Sequence, residues 1–262
     1  MAGYLASLGI GLLLGLIGGG GSILTVPVLV YLFGISPLLA TSYSLVIVGL
    51  VSLLGFISHY RRHLVSVRAG LLFGTASMLI VLFVRRFLLP QLPATLLSVK
   101  HRPVHSDVFL MIVFALLMIA AATAMLGNKQ IPKDGPHPKK TSAFMILLYG
   151  AITGLITGFL GAGGGFLLIP ALILFAGLPL KHAVGTSLMI ISLNSLTGIL
   201  ADPDTAHYDW GFLAKLAALA LAGLFAGLQL SNRLPEIQLK KIFGFFVLIM
   251  GVSILVIELT RF

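Results

Sequence analysis

The chain has 262 residues, of which 58% are apolar or aromatic and 9% charged; a soluble domain carries roughly 25% charged residues, so a soluble globular protein is excluded, and so is a disordered one. A net charge of +10 would point to nucleic acid in a soluble chain, but here the Lys and Arg sit in short clusters between apolar runs, as in loops beside anionic headgroups, which makes the lipid bilayer the partner and not nucleic acid. The absence of cysteine excludes disulfides, thiolate catalysis and Cys-ligated metal sites.

Residues 1–60 contain no charged side chain, so the cationic start of a secretory signal is missing and this segment reads as part of the mature protein. The apolar runs are 3–33, 38–58, 69–89, 108–126, 143–176, 183–201, 211–230 and 241–259. Most match one crossing, but 3–33 and 143–176 would each exceed about 46 Å as helix, against a hydrocarbon core of ~30 Å. In the first of these, each glycine of Gly18–Gly21 costs a helix about 1 kcal/mol relative to alanine, and Pro27 lacks an N–H donor. The expectation is a helix ending near Gly18, an unwound stretch, and a short helix restarting around Pro27, which sits well in a first turn. Arg85 and Arg86, at the end of the third run, read as interfacial anchors, with a place facing a substrate vestibule as the alternative. Residues 127–142, with four Lys and three Pro, read as a polar basic linker.

Beyond that linker the pattern returns. An offset of 143 residues lays GLIGGGGSILTVP (15–27) on GFLGAGGGFLLIP (158–170) without a gap, and 16 of 41 positions from 15 to 55 are identical in this register. A second broken helix is therefore expected from Gly161 to Pro170. Within hydrocarbon, unwound backbone is tolerated only where protein buries it or it lines a wet cavity, and paired breaks in two repeats point to a transporter binding site. Close helix packing explains Ser7, Gly11, Gly15 and Gly150, Gly154, Gly158 at four-residue spacing; it does not explain contiguous glycine. No Lys stands at a P-loop position and neither run fits a dinucleotide fingerprint.

Loop charges set the orientation. If all eight runs cross once, the cations divide eight against eight; if each broken run is a hairpin, they divide eleven against five. The second arrangement makes the copies inverted, with 127–142 cytoplasmic and 202–209 external. The expected fold is an all-α polytopic membrane protein with a first repeat at 1–126, the linker, and a second repeat at 143–262, each a Gly-rich broken helix or hairpin plus three spanning helices.

Inside the bilayer the sequence places no Asp or Glu at mid-span, while Lys215 and Glu258 lie near helix ends. The polar residues left at depth are chiefly Ser, Thr and one Asn. The candidate substrate site is Gly19, Gly20, Gly21, Ser22, Ser44, Gly163, Gly164, Gly165, Thr186, Ser187 and Asn194, with Pro27 and Pro170 as helix-break residues. Two converging helix N-termini, each worth roughly half a positive charge, suit a small anionic substrate. The seven histidines match no metal pattern, so neither metal nor cofactor is expected. Gly185-Thr186-Ser187 lacks a mid-span base, so the chain does not read as an enzyme. A passive anion channel or facilitator and an intramembrane enzyme are the alternatives, and a homo-oligomer is compatible with the sequence.

The motif G-x-x-G-x-G-G-G-x-x-x-x-P followed by A-V-G-T-S-L, complete at 158–188 and degraded to A-T-S-Y-S-L in the first copy, resembles the TauE/SafE sulfite exporter family, also called the toluene-sulfonate uptake permease family. The resemblance implies a secondary transporter exporting sulfite or small organosulfonates across a bacterial inner membrane. Ser42-Tyr43 in place of Gly185-Thr186 and the long 85–107 connection depart from strict symmetry.

Overall fold

The computed structural model describes residues 2–91, 95–99, 102–127, 143–161, 165–203, 205–231 and 236–260. The linker expected at 127–142 lies outside them apart from Gly127, as do Gly163 and Gly164. Among the described residues ten α-helices dominate: α1 (Ala2–Ile17), α2 (Thr25–Phe33), α3 (Pro37–Arg61), α4 (Val67–Phe83), α5 (Ser106–Gly127), α6 (Ala143–Leu160), α7 (Gly165–Ala176), α8 (Leu180–Ala201), α9 (Trp210–Ser231) and α10 (Glu236–Thr260). After α4 come a π-helical turn (Val84–Leu88), still within the third apolar run, and, in the long 85–107 connection, a two-stranded antiparallel hairpin, β1 (Thr95–Val99) and β2 (Arg102–His105).

Length decides which helices can cross. Among the described residues, Pro37–Arg61, Val67–Gln91, Leu180–Ala201 and Trp210–Ser231 are long and apolar enough to span a bilayer. At about 1.5 Å per residue, α1 and α2 are each shorter than the hydrocarbon core, and so are α6 and α7. Leu5, Leu79, Phe144, Leu200 and Ile249 lie open on the outer surface, where lipid tails replace water. The protein is an integral, multi-pass membrane protein.

The break in the first run differs from the unwound stretch expected. Gly18 adopts φ +72°, a left-handed turn that glycine takes without steric cost, and Gly18–Leu24 then form a seven-residue 3-10 helix. In an apolar interior free N–H and C=O groups are too costly, so the chain keeps bonding with the tighter i→i+3 pattern instead of opening. The segment doubles back on its own helix: a Cβ on Gly21 would lie 2.6 Å from the Leu14 nitrogen. Helix α2 restarts at Thr25, so Pro27 sits in its first turn. Gly161 turns left-handed likewise (φ +65°), but α7 restarts at Gly165, which leaves Pro170 inside that helix beyond its first turn.

Glycine faces then dock the short helices. Gly11 and Gly15 bring α1 onto the backbone of α9 at Ala220 and Leu224, and Gly150 and Gly154 bring α6 onto the backbone of α4 at Phe73 and Ser77. Helices α3 and α8 cross antiparallel at the centre, with Leu45 beside Gly198, Ser195 beside Gly49 and Leu188 beside Gly55. Helices α5 and α10 pair with each other, Gly251 lying against Met118 and Ile119.

Candidate functional site

The two breaks meet. A Cβ added to Gly19 would stand 2.7 Å from the Gly165 Cα, and one on Gly165 would overlap the Gly19 carbonyl. Glycine is required because the backbones touch, and this contact joins α7 to the first 3-10 segment. Gly20 lies within that segment, and the Ser22 hydroxyl donates to the Gly19 carbonyl at 2.7 Å. The Ser44 hydroxyl donates across to the carbonyl of Gly161 at 2.9 Å, while Gly161 itself rests against the Thr41 carbonyl. On the other side Gly18 rests against Val184, whose carbonyl accepts the Ser187 hydroxyl at 2.8 Å.

Thr186 is drawn elsewhere: its hydroxyl oxygen accepts the backbone N–H of Ser66, in the α3–α4 loop, at 2.9 Å. Because α3 and α8 are antiparallel, Ser44 and Ser187 stand at opposite ends of a stretch about ten residues long, about 15 Å apart. One small anion cannot touch both together. They flank the meeting point of the breaks instead of sharing it.

Asn194 is fully buried, and its side-chain amide donates to the Ser77 hydroxyl at 2.6 Å, leaving Oδ1 without a partner. Turning the amide over would let Ser77 donate to Oδ1 and present the NH2 to the unpaired side. The hydroxyls of Thr25, Ser52, Thr157 and Ser195 are likewise buried without hydrogen-bond partners. Such groups are costly in an apolar interior and are expected to find partners.

Arg85 is not the interfacial anchor that its place at the end of the third run suggests. Arg86 is exposed, as an interfacial anchor should be, but Arg85 is only 1% exposed. Its Nη1 donates to the Ser42 hydroxyl (2.7 Å) and to Asp202 Oδ2 (3.1 Å), its Nη2 to the Thr41 hydroxyl (3.0 Å) and its Nε to the Gly158 carbonyl (3.0 Å). Ser42 in turn donates to Asp202 Oδ2 at 2.5 Å. The π-helical turn swings Arg85 inward from the end of α4, a use such turns often have at functional sites. Its partner Asp202, assigned by sequence to an external loop, closes α8 and is itself largely buried. Above this pair, Tyr43 accepts the Asp209 N–H at 2.9 Å and meets Tyr208 edge-on at 5.4 Å between ring centres. Burial, ahead of the nearby Asp202 carboxylate, pushes the Tyr208 phenol well above its ordinary pKa.

Glu258 lies near a helix end, as expected, but its side chain is turned inward. It lies buried near the end of α10 and accepts the Tyr31 hydroxyl at 2.7 Å. Among the described residues no three His, Cys, Asp or Glu side chains gather as metal ligands.

Known proteins resemble this one over nearly its whole length. A "Probable membrane transporter protein" of Xylella fastidiosa (strain Temecula1) is 29% identical over 259 residues, covering 94% of this chain and 91% of its own. The "Probable membrane transporter protein YdhB" of Bacillus subtilis is 26% identical over 231 residues, covering 88% and 90% respectively. A "Probable membrane transporter protein" of Haemophilus influenzae is 26% identical over 265 residues, covering 93% of each chain. No solved structure matches. The family described as Sulfite exporter TauE/SafE matches residues 4–254, and the chain belongs to that family of membrane transporters.

Proposed function

We propose that this protein is a secondary transporter that exports sulfite or a small organosulfonate anion from the cytoplasm, and that the anion is held between the breaks at Gly19–Ser22 and 163–165. The observation that carries this reading is the backbone contact between Gly19 and Gly165, buried among side chains that bear no net charge. The 3-10 helix that runs on into α2 and the helix α7 both begin beside it, and their first N–H groups supply partial positive charge without a resident cation to trap the anion. Buried hydroxyls at Thr25, Ser52, Thr157 and Ser195, and a turned Asn194 amide, are donors in reserve.

Two inverted repeats, 1–126 and 143–262, are part of the same proposal. It is supported by contacts that recur at the 143-residue offset. The left-handed glycines pair as 18 with 161 and 34 with 177. The Asp209 N–H to Tyr43 bond has its counterpart in the Ser66 N–H to Thr186 bond, and the Ile35 N–H to Leu29 bond in Leu178 to Leu172. Inversion is supported by neighbours: Gly185 lies against Leu64, and Ser42 bonds Asp202. Single crossings by all eight runs would put the members of each pair on opposite membrane faces.

Efflux of sulfite, thiosulfate, sulfoacetate and sulfate from proteoliposomes, with and without a pH gradient, tests the reading. Gradient-dependent flux of sulfite or sulfoacetate is expected. Flux indifferent to the gradient would make the protein a passive facilitator, and no flux of any of the four would end the anion reading.

A further inference from the structure

A buried guanidinium in a membrane protein is expensive, and a pair of well-packed apolar residues would brace α4 against α8 at least as well. Arg85 is therefore more than a brace if its surroundings suit a ligand. They do. Around one guanidinium the protein gathers a carboxylate oxygen from Asp202 and two hydroxyls from Thr41 and Ser42, the set that an oxyanion bound to Arg with Ser and Thr would present in reverse, its own oxygens replacing those of the carboxylate. The carboxylate meets Nη1 through Oδ2, the same oxygen that accepts the Ser42 hydroxyl.

The cation is also wired to the second break. Arg85 Nε holds the Gly158 carbonyl in the last turn before that break, Thr41 abuts Gly161, and Ser44 bonds the Gly161 carbonyl. The guanidinium thus lies beside the second break and, through Asp202, at the end of α8. At the positions related by 143 residues the sequence has Leu228 for Arg85, Gly185 for Ser42, Val184 for Thr41 and His59 for Asp202. No Arg or Lys stands at those places, so the two ends of the pathway are electrically unequal.

Charge balance then fixes the order of events. With Asp202 in place the site is neutral; an added anion would leave a buried net negative charge, which low-dielectric surroundings oppose. Asp202 must leave for an anion to arrive. It stands just past the last turn of α8 with its side chain 8% exposed. We infer that Arg85 is the fixed cation that receives the transported oxyanion at the end of the pathway where α8 stops, and that Asp202 is the internal carboxylate that occupies this cation when no anion is present. This rests on the anion-transport reading above.

The test uses the full-length protein, purified, with sulfite and sulfoacetate binding followed by isothermal calorimetry and efflux followed in proteoliposomes. Asp202→Asn removes the competitor, and apparent affinity is expected to rise about 10-fold or more. The double variant Arg85→Gln with Asp202→Asn leaves no buried charge unpaired and is expected to fold but to bind about 10- to 100-fold more weakly than wild type. The exchange Arg85→Asp with Asp202→Arg restores an ion pair but moves the cation; it is expected to recover folded yield and not transport. Wild-type binding and flux in the double variant, or transport restored by the exchange, would reduce Arg85–Asp202 to a structural brace while leaving the anion reading intact. Wild-type protein that neither binds nor moves either anion would overturn both.

Discussion

Replacing Gly165 by alanine asks whether the meeting of the two breaks matters to transport. The new methyl would overlap the carbonyl group of Gly19, and the reciprocal Gly19→Ala would set a methyl 2.7 Å from the Gly165 Cα. Carbon atoms settle at about 3.5–4.0 Å, so the breaks must part by about 1 Å. The obstacle is backbone, which no side-chain rotation relieves. Overpacking of this kind costs about 1–3 kcal/mol, a factor of about 5–150 in the population of the state in which the breaks touch. Proteoliposomes carrying Gly165→Ala should release sulfite about 5–150 times more slowly than wild type, while the protein still inserts and elutes as one species. Gly9→Ala is the control, because nothing lies within 4 Å of its Cβ; mid-helix alanine should stabilise α1 by about 0.5–1 kcal/mol and leave flux unchanged. Wild-type flux from Gly165→Ala, at an unchanged melting temperature, would refute the reasoning, since it would mean that the two backbones are not in contact during transport.

Other expectations follow from the same geometry. Single cysteines at Asn128 and Thr205, in this cysteine-free chain, should react with impermeant reagents from opposite sides of the membrane; labelling of both from one side would defeat the inverted arrangement. Glu258→Gln keeps an acceptor for the Tyr31 hydroxyl, so flux and its response to a pH gradient should persist, and loss of that response would place the proton site at Glu258. Because burial raises the Tyr208 pKa, its stabilising share is complete below the unfolded value near pH ~10 and is lost as pH rises beyond it. Tyr208→Phe should flatten the fall in melting temperature above that pH; an unaltered slope would show that the phenol is not the group responsible.

What the sequence discloses here follows from range. Glycine at Gly18 and Gly161, and the four-residue spacing of Gly11, Gly15, Gly150 and Gly154, are local patterns whose physical cost is the same in any context, so the helix ends and docking faces could be read directly. The 3-10 geometry of Gly18–Leu24 could not, because it answers a demand for hydrogen bonds that only the surrounding apolar interior imposes. Arg85 was misread for a related reason. Nothing near it in sequence is acidic, and its partners Asp202 and Gly158 lie 117 and 73 residues away; its burial exists only once α3, α4, α6 and α8 converge. The one available hint was a second Arg beside it at the end of an apolar run, where one would have sufficed as an anchor. The separation of Ser44 from Ser187 likewise depends on the antiparallel crossing of α3 and α8, about which matching residues in a repeat say nothing.

The docking of α1 on α9 has a consequence for how the protein is made. Gly11 seats against Ala220, a partner synthesised roughly 200 residues later, which at about 5–20 residues per second is a delay on the order of 10–40 s. Through that interval the bare glycine face of a helix too short to span the bilayer has no mate, whereas α6 is born with α4 already in the membrane. Biogenesis is thus lopsided: the hairpin made last can be seated on arrival, and the hairpin made first must be sheltered, by lipid headgroups or by the insertion machinery, until the ninth helix emerges. A nascent chain stalled before Trp210 should accordingly leave α1 more open to protease than in the finished protein, while α6 is already shielded.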